Sequence, residues 1–385
     1  TAESFSILQT VDLSDTTLTV TELNELVDTA NTLTAEGGEV TTFTLSSGAT
    51  INTGDESAFR TLLTNAESGQ LTITNQNLIV DSGTLSVATA NDLDAITEGT
   101  VTAEIATDST VDSLATLTGT NELTIVINES DSSVEASELT SIDDATSVAI
   151  NADAVVEITG TYSEIVSLYG SEGITGLGDE NLNIEGELSV IEANTIDALT
   201  DGTVTADIAT GSTIDSLATL TGTNAYTIVI SDANATIKAS DLNTISELTS
   251  LAIDASAVTT LALETIPNIK SLLTDVNDPA QFTENSFENL TAVSIFDPAK
   301  YLESNPDLQA VFGSNLALAT NHYISNGFNE GRNDGPKSVS DLNEMIALAN
   351  QATGTNTTEF IIAAGITIED GDESEFQTLI ANEKN

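Results

Sequence analysis

The sequence predicts an α/β fold: a strand–helix solenoid with a predominantly parallel sheet, joined to a small all-α module. Three observations predict it. Residues 84–127 and 187–230 are copies of one another, offset by 103 residues without a gap and identical at roughly three-quarters of their positions. The two ends also repeat: ELNELVDTAN (22–31) and GDESAFRTLL (54–63) return as DLNEMIALAN (341–350) and GDESEFQTLI (371–380), at offsets of 319 and 317. Within the 103-residue unit, short alternating apolar segments recur every ~22–25 residues, the beat of a rung that stacks on the next.

The N-terminal strand/helix module spans 1–80. Its Asp55-Glu56 pair, which returns as Asp372-Glu373, precedes a helical pattern, where negative charge favours the positive end of the helix dipole. The solenoid follows over 81–275. Its strands are VTAEI (101–105), LTIVI (123–127) and SVAI (147–150), with equivalents VTADI (204–208), YTIVI (226–230) and SLAI (250–253). Val101, Ala103 and Ile105 share one face, and Leu123, Ile125 and Ile127 share another. A five-residue strand cannot bury such a face alone, so rungs must pile up. Val126 and Val229, apolar on the opposite side, predict that helices cover part of that side too.

Between the strands stand helical patterns at 109–117 (Val111, Leu114, Leu117) and 137–145 (Leu139, Ile142), and one at 241–248 with Ser240 as its N-cap. Gly119 and Gly222 read as helix C-terminal stops. Near 160–185 the rhythm breaks, with an extra helix at 161–169 and a glycine-rich loop.

Aromatic usage marks the next boundary. None occurs between Phe59 and Tyr162, whereas Phe282, Phe287, Phe296, Tyr301, Phe312, Tyr323 and Phe328 crowd together beside prolines 279, 298, 306 and 336. This predicts a helical module with an aromatic core over 276–337, and residues 338–385 as a partial second copy of the N-terminal module.

The chain has 385 residues, 61 of them Asp or Glu against 7 Lys or Arg, for a formal charge of −54. Nucleic acid is excluded as a partner, because phosphate binding needs clustered cations. A bare anionic membrane surface is excluded on the same ground. Acidity alone would suggest disorder, but 39% hydrophobic residues in regular alternation argue for a folded protein with an acidic surface. No apolar run approaches the ~20 residues of a membrane-spanning helix, so membrane insertion is not expected. With no cysteine there are neither disulfides nor thiolate metal sites. The chain starts at Thr1 and its sole methionine is Met345, which reads as a processed product or an excerpt of a longer tandem protein.

Carboxylates are the abundant chemistry, and calcium is the cofactor that would use them, taking about six to eight oxygen ligands. The candidate ligands are Asp275, Asn277 and Asp278 in TDVNDPAQ and Asp370, Asp372 and Glu373 in EDGDES, with Asp179 and Glu180 as a further pair. The competing reading is a hydrated acidic face. His322, the single histidine, reads as a packed residue of the aromatic module, and Arg332 as a partner of Glu330 or of a helix C-terminus. Thr-x-Thr pairs at 17–21, 72–74 and 116–120 raise ice binding, but they do not fall at equivalent places on successive strands.

The text FDPAKYLESNPDLQAVFGSNLALATNHYISNGFNEGR (296–332) resembles a helical module of large secreted or cell-surface tandem-repeat proteins of cyanobacteria and other bacteria. The residues that carry this are Tyr301, Asn305-Pro306-Asp307-Leu308, His322-Tyr323, Gly327 and Glu330-Gly331-Arg332. The resemblance implies an extracellular or cell-surface bacterial location and use as a scaffold. It supplies no catalytic residue, and the glycine- and aspartate-rich calcium repeat of those relatives is absent.

The expected function is a non-enzymatic structural unit of a filament, sheath or surface layer, assembling head to tail with copies of itself. An adhesin-type module that binds a cell-surface glycan, through a ridge or the loop near 160–185, is the second reading. A polysaccharide-acting enzyme ranks below both. There is no G-x-S-x-G and no phosphate loop, and so many acids guarantee chance carboxylate pairs.

Overall fold

A computed structural model of the protein describes residues 10–12, 18–35, 42–128, 133–231, 236–327, 330–353, 358–362 and 366–383. Phe328 of the expected aromatic core and Thr17 of the first Thr-x-Thr segment lie outside them. The architecture is α/β, and every strand pairing set out below is parallel. The chain divides into two compact units, residues 1–185 with 199–202, and residues 186–198 with 203–385.

In the first unit the helices are α1 (Val20–Ala35), α2 (Glu56–Glu67), α3 (Val87–Ile96), α4 (Val111–Leu114), α5 (Ala136–Asp144) and α6 (Tyr162–Tyr169). The early rungs carry two strands each, and these build two ladders rather than one continuous sheet. Thr10–Asp12, Thr42–Thr44 and Leu71–Thr72 form one. Leu18–Thr19, Thr50–Asn52, Asn77–Ile79, Val101–Glu104 and Glu122–Thr124 form the other. Further on, Ser133–Glu135 pairs with Glu157–Thr161, and Glu157–Thr161 with Asn181–Glu185.

The alternation read from the sequence is realised. Val101, Ala103, Ile105, Leu123, Ile125 and Ile127 are all buried, while Glu104, Glu122 and Thr124 point outward to solvent. Each such aliphatic side chain contributes about 1.5–3 kcal/mol on full burial. The expectation that helices also cover the opposite side fails at Val126, which is 46% exposed. Outward acids are set opposite hydroxyl-bearing residues on the next strand: Glu122 accepts from Thr102 Oγ1 at 3.0 Å, and Glu157 from Ser133 Oγ at 2.9 Å. Like charges directly opposite would be destabilising.

The second unit contains α7 (Val190–Asp197), α8 (Ile214–Leu217), α9 (Ala239–Ser246), α10 (Ile266–Val276), α11 (Pro298–Ser304), α12 (Pro306–Phe312), α13 (Leu316–His322), α14 (Val339–Thr353) and α15 (Glu373–Glu383), with one π-turn at Tyr323–Gly327. Thr236–Ile237, Thr260–Thr265, Ala292–Phe296 and Glu359–Ile361 form a four-stranded parallel sheet. The helix expected at 241–248 starts two residues earlier, behind the strand exit at Lys238; Ser240 lies inside it and does not cap it.

The aromatic helical part is smaller than the sequence suggested. Its core is Phe296, Tyr301, Leu302, Leu308, Ala319 and Tyr323. The Phe296 and Tyr323 rings stack at 4.2 Å, with Tyr301 edge-on to both at 5.5 and 5.0 Å. Phe296 ends a sheet strand, so the all-α stretch begins only at Pro298. Phe282 and Phe287 pair with each other instead, at 5.9 Å, where Phe282 bridges to Ile253 of the preceding rung.

Candidate functional site

The residues that most distinguish this molecule sit where one rung meets the next. In α1, α3, α7, α9 and α14 an asparagine donates its Nδ2 to a backbone carbonyl of the following rung: Asn24 to Ala58, Asn91 to Thr116, Asn194 to Thr219, Asn243 to Asn268 and Asn343 to Glu375, at 2.8–3.2 Å. A neutral amide bonded to backbone holds register without charge. The signal was present in the sequence as Leu-Asn or Ala-Asn two residues before an aliphatic: LNEL, ANDL, ANTI, LNTI and LNEM.

A second lock is duplicated by the 103-residue repeat. Asn121 donates to Asp94 Oδ1 at 3.0 Å and accepts from Val101 N at 2.9 Å, while Thr118 Oγ1 donates to Asp94 Oδ2 at 2.8 Å. Asn224, Asp197, Val204 and Thr221 do the same, at 2.7, 2.8 and 2.6 Å. This explains Gly119 and Gly222. They do not stop α4 and α8, which end earlier at Leu114 and Leu217. They stand at φ +70° and +68°, where a Cβ would overlap the carboxylates of Asp94 and Asp197.

A third joint links α2 to α3. Glu56 Oε1 accepts from Thr89 Oγ1 at 2.6 Å, Ser86 Oγ at 2.7 Å and Arg60 at 2.9 Å. The Thr89 hydroxyl first, then Ser86 and Arg60, hold its carboxyl down to about 2, against some desolvation.

The terminal modules match in structure as well as in sequence. Val20 packs where Gly54 has no side chain, and Val339 packs likewise on Gly371; a Cβ on either glycine would overlap the valine. Leu18–Thr19 pairs with Ile51-Asn52 as Lys337–Ser338 pairs with Ile368–Glu369. Upstream, Val11 stands opposite Phe43 as Val293 stands opposite Phe360. That last equivalence exposes a further repeat: Ser4-Phe5, Leu8 and Val11 echo Ser286-Phe287, Leu290 and Val293 at an offset of 282. The step from 282 to 319 is 319 − 282 = 37 residues, so the last module carries 37 more residues between Val293 and Lys337 than the first does between Val11 and Leu18, and the helical stretch after Phe296 lies among them as an insertion.

The predicted calcium ligands fall in two places. Asp275 is in the last turn of α10, its carboxyl pushed up by burial and by the nearby charges of Asp278 and Glu247. Asn277 caps that helix and donates to Leu273 O at 2.6 Å and Leu348 O at 3.4 Å, while Asp278 Oδ1 accepts from Ala280 N at 3.0 Å. Asp370 adopts φ +63°, Asp372 Oδ1 accepts from Glu375 N at 2.9 Å, and Glu373 accepts from Gln377 at 3.2 Å. Glu180 is buried and binds Gly178 N, Asp179 N and the Tyr169 hydroxyl, knitting the glycine-rich loop. Among the described residues, no three or more His, Cys, Asp or Glu side chains converge as a metal centre requires.

In the helical insertion the motif residues assemble. His322 Nδ1 lies 3.0 Å from the Tyr301 hydroxyl, and Asn305 Nδ2 donates to Tyr301 O and Asn333 O. Arg332 bridges Glu330 and Asp307, each at 2.7 Å, and so ties the Glu-Gly-Arg end to the Asn-Pro-Asp-Leu turn. Beneath lies a fully buried ion pair, Lys337 Nζ to Asp334 Oδ2 at 3.2 Å, with the ammonium also donating to Asp334 O and Gly335 O. Burial pushes the Asp334 carboxyl up, against the pull of Lys337. Burial first, then the Asp334 charge, raise the Tyr323 hydroxyl to about 12.

Clefts open on the surface of the described residues. One, of about 290 Å³, is lined by Thr213, Asp215, Thr236, Lys238 and Asp241. Burial pushes the Asp241 carboxyl up; Lys238 opposes this, and Glu264 and Asp215 add to it. Another, of about 390 Å³, lies along α1 and α2 and is lined by Asn24, Glu25, Asp28, Asn31 and Asn65. No described helix is long and apolar enough to cross a membrane. No protein-family model matches the chain, and no curated protein matches it.

Proposed function

We propose that this chain is a non-enzymatic structural unit of an extracellular bacterial repeat array, of the filament, sheath or surface-layer kind, whose strand–helix rungs continue as a solenoid. One observation carries the reading: the last module repeats the first with the same asparagine lock, the same valine-on-glycine contact and the same parallel pairings. A protein that returns to its starting geometry presents at one end what it accepts at the other, and repetition of that kind lengthens rather than closes. The resemblance of 296–332 to modules of surface repeat proteins supports the location. Calcium and other cations act in this reading as counter-ions to the acidic surface and shorten the range of its self-repulsion.

The test is sedimentation and negative-stain electron microscopy of the purified chain across salt and calcium. Elongated particles that join end to end as screening increases are expected. A compact monomer indifferent to both would refute the reading. A second reading, glycan binding, draws on the polar cleft of Asp215, Lys238 and Asp241. Reproducible binding on a glycan array that is lost in Asp241→Ala would favour it.

A further inference from the structure

Helix α1 leaves uncovered a face that its twin α14 buries. At the offset of 319, Glu22, Glu25, Leu26 and Thr29 correspond to Asp341, Glu344, Met345 and Leu348. In α14 this face is seated on α10. Lys270 Nζ pairs with Asp341 Oδ1 at 3.3 Å and with Glu344 Oε2, Asn277 Nδ2 reaches Leu348 O, and Met345 is fully buried. In α1 the same positions meet solvent: Leu26 is 39% exposed, and Glu22, Glu25 and Thr29 are exposed. The inner faces do not differ, since Leu23 and Leu342 are both buried and Asn24 and Asn343 make the same lock. α1 therefore keeps the apolar centre and both acids of a seat whose lysine-bearing occupant is seen on α14.

We propose that the Glu22–Glu25–Leu26–Thr29 face of α1 is a docking surface for a strand–helix rung of the α10 type, an apolar helix with a lysine at the Lys270 position, presented by another copy of this chain whose own α10 is bare. The inference rests on the array reading and names the joint through which the array would grow where α14 of the next copy has left its α10 seat. Leu26 supplies the burial, and one ammonium between two carboxylates supplies the register. In a chain with only 7 basic residues, that lysine is a discriminating feature. The α10 seat holds either an α14 or an α1, so a copy with α14 in place does not compete.

The test uses the full chain with α14 unseated by Met345→Asp, and in a second variant by Asp341→Lys with Glu344→Lys, which repels Lys270 without placing a charge in the core. Labelling of an Asn277→Cys thiol, clean because the chain has no other cysteine and placed where α10 meets α14, reports that α10 is bare. Sedimentation is expected to show bared chains associating about tenfold or more tightly than the unmodified chain. Adding Leu26→Asp should restore the monomer, and a short bis-maleimide should join Asn277→Cys of one copy to Thr29→Cys of the next, the equivalent of the Leu348 that Asn277 faces. A bared chain that stays monomeric, or association that survives Leu26→Asp, overturns the proposal. Filaments that form without the 277–29 cross-link refute this joint and leave the array reading standing. The cross-link without lengthening keeps the joint and removes the array.

Discussion

Residues 84–230 and residues 260–383 are built from similar rungs but bolted differently. The repeated stretch contains no lysine or arginine at all. Its rungs are joined by amides and hydroxyls, with the Asp94 and Asp197 carboxylates as acceptors: Asn91, Asn121 and Thr146 in one copy, Asn194 and Asn224 in the other, with Thr249 just beyond it gripping Tyr226 O. The later stretch places four of the chain's seven cations at its non-repeating joints: Lys270 between α10 and α14, Lys300 between α11 and Glu369, Arg332 across the ends of the helical insertion, and Lys337 beneath it. A lock made without a cation can be copied from rung to rung because no counter-charge has to be placed with it, and its short-range hydrogen bonds depend little on salt. An ionic bolt suits a joint made once, where it fixes which surfaces meet.

The comparison breaks most easily at Lys337. Lys337→Met leaves Asp334 buried without its partner and should cost about 3–5 kcal/mol in urea unfolding followed by tyrosine fluorescence, with most of it recovered in Lys337→Met/Asp334→Leu. A neutral single variant would mean that the buried pair is not a bolt. Next come Asn121→Ala and Asn224→Ala. Each orphans a buried backbone N–H, of Val101 or of Val204, and should cost about 1–3 kcal/mol, with similar values for the two and no dependence on salt. Unequal costs would show that the two copies are not energetic equivalents.

Lys270→Gln should cost about 1 kcal/mol at low ionic strength and almost nothing at 1 M salt, because its partners Asp341 and Glu344 are partly exposed. The smallest change is Glu56→Gln, about 1 kcal/mol at neutral pH after solvent screening. Its folded carboxyl titrates near 2 rather than at the ordinary 4.5, so its contribution is complete above 4.5 and is lost as pH falls toward 2. Acid titration of stability should therefore flatten within that window in the variant.

Sequence periodicity was a good guide wherever the determinant is local. Strand alternation at 101–105 and 123–127, the helix at 162–169 and the terminal repeat were all legible, because inward and outward positions follow from a period of two and helix starts follow from nearby caps such as Thr161 with Glu164. Gly119 and Gly222 stand out in the sequence, but their reason does not, since the carboxylates they accommodate lie 25 residues earlier in the chain. The insertion after Phe296 was visible as aromatic text. That it interrupts a copied module shows only in the strand pairing, where Val11 faces Phe43 as Val293 faces Phe360.

The sequence by itself determined the rungs, their apolar faces, the acidic surface and the return of the first module at the end, because each is written in neighbouring residues. Tertiary structure alone decided that early rungs carry two ladders, which carbonyl each asparagine grips, and that α14 is covered where α1 is bare. The physical reason is range. Those outcomes depend on partners some 20 to 70 residues away, where the same side chain, Leu26 or its counterpart Met345, is exposed or buried according to what stacks on it.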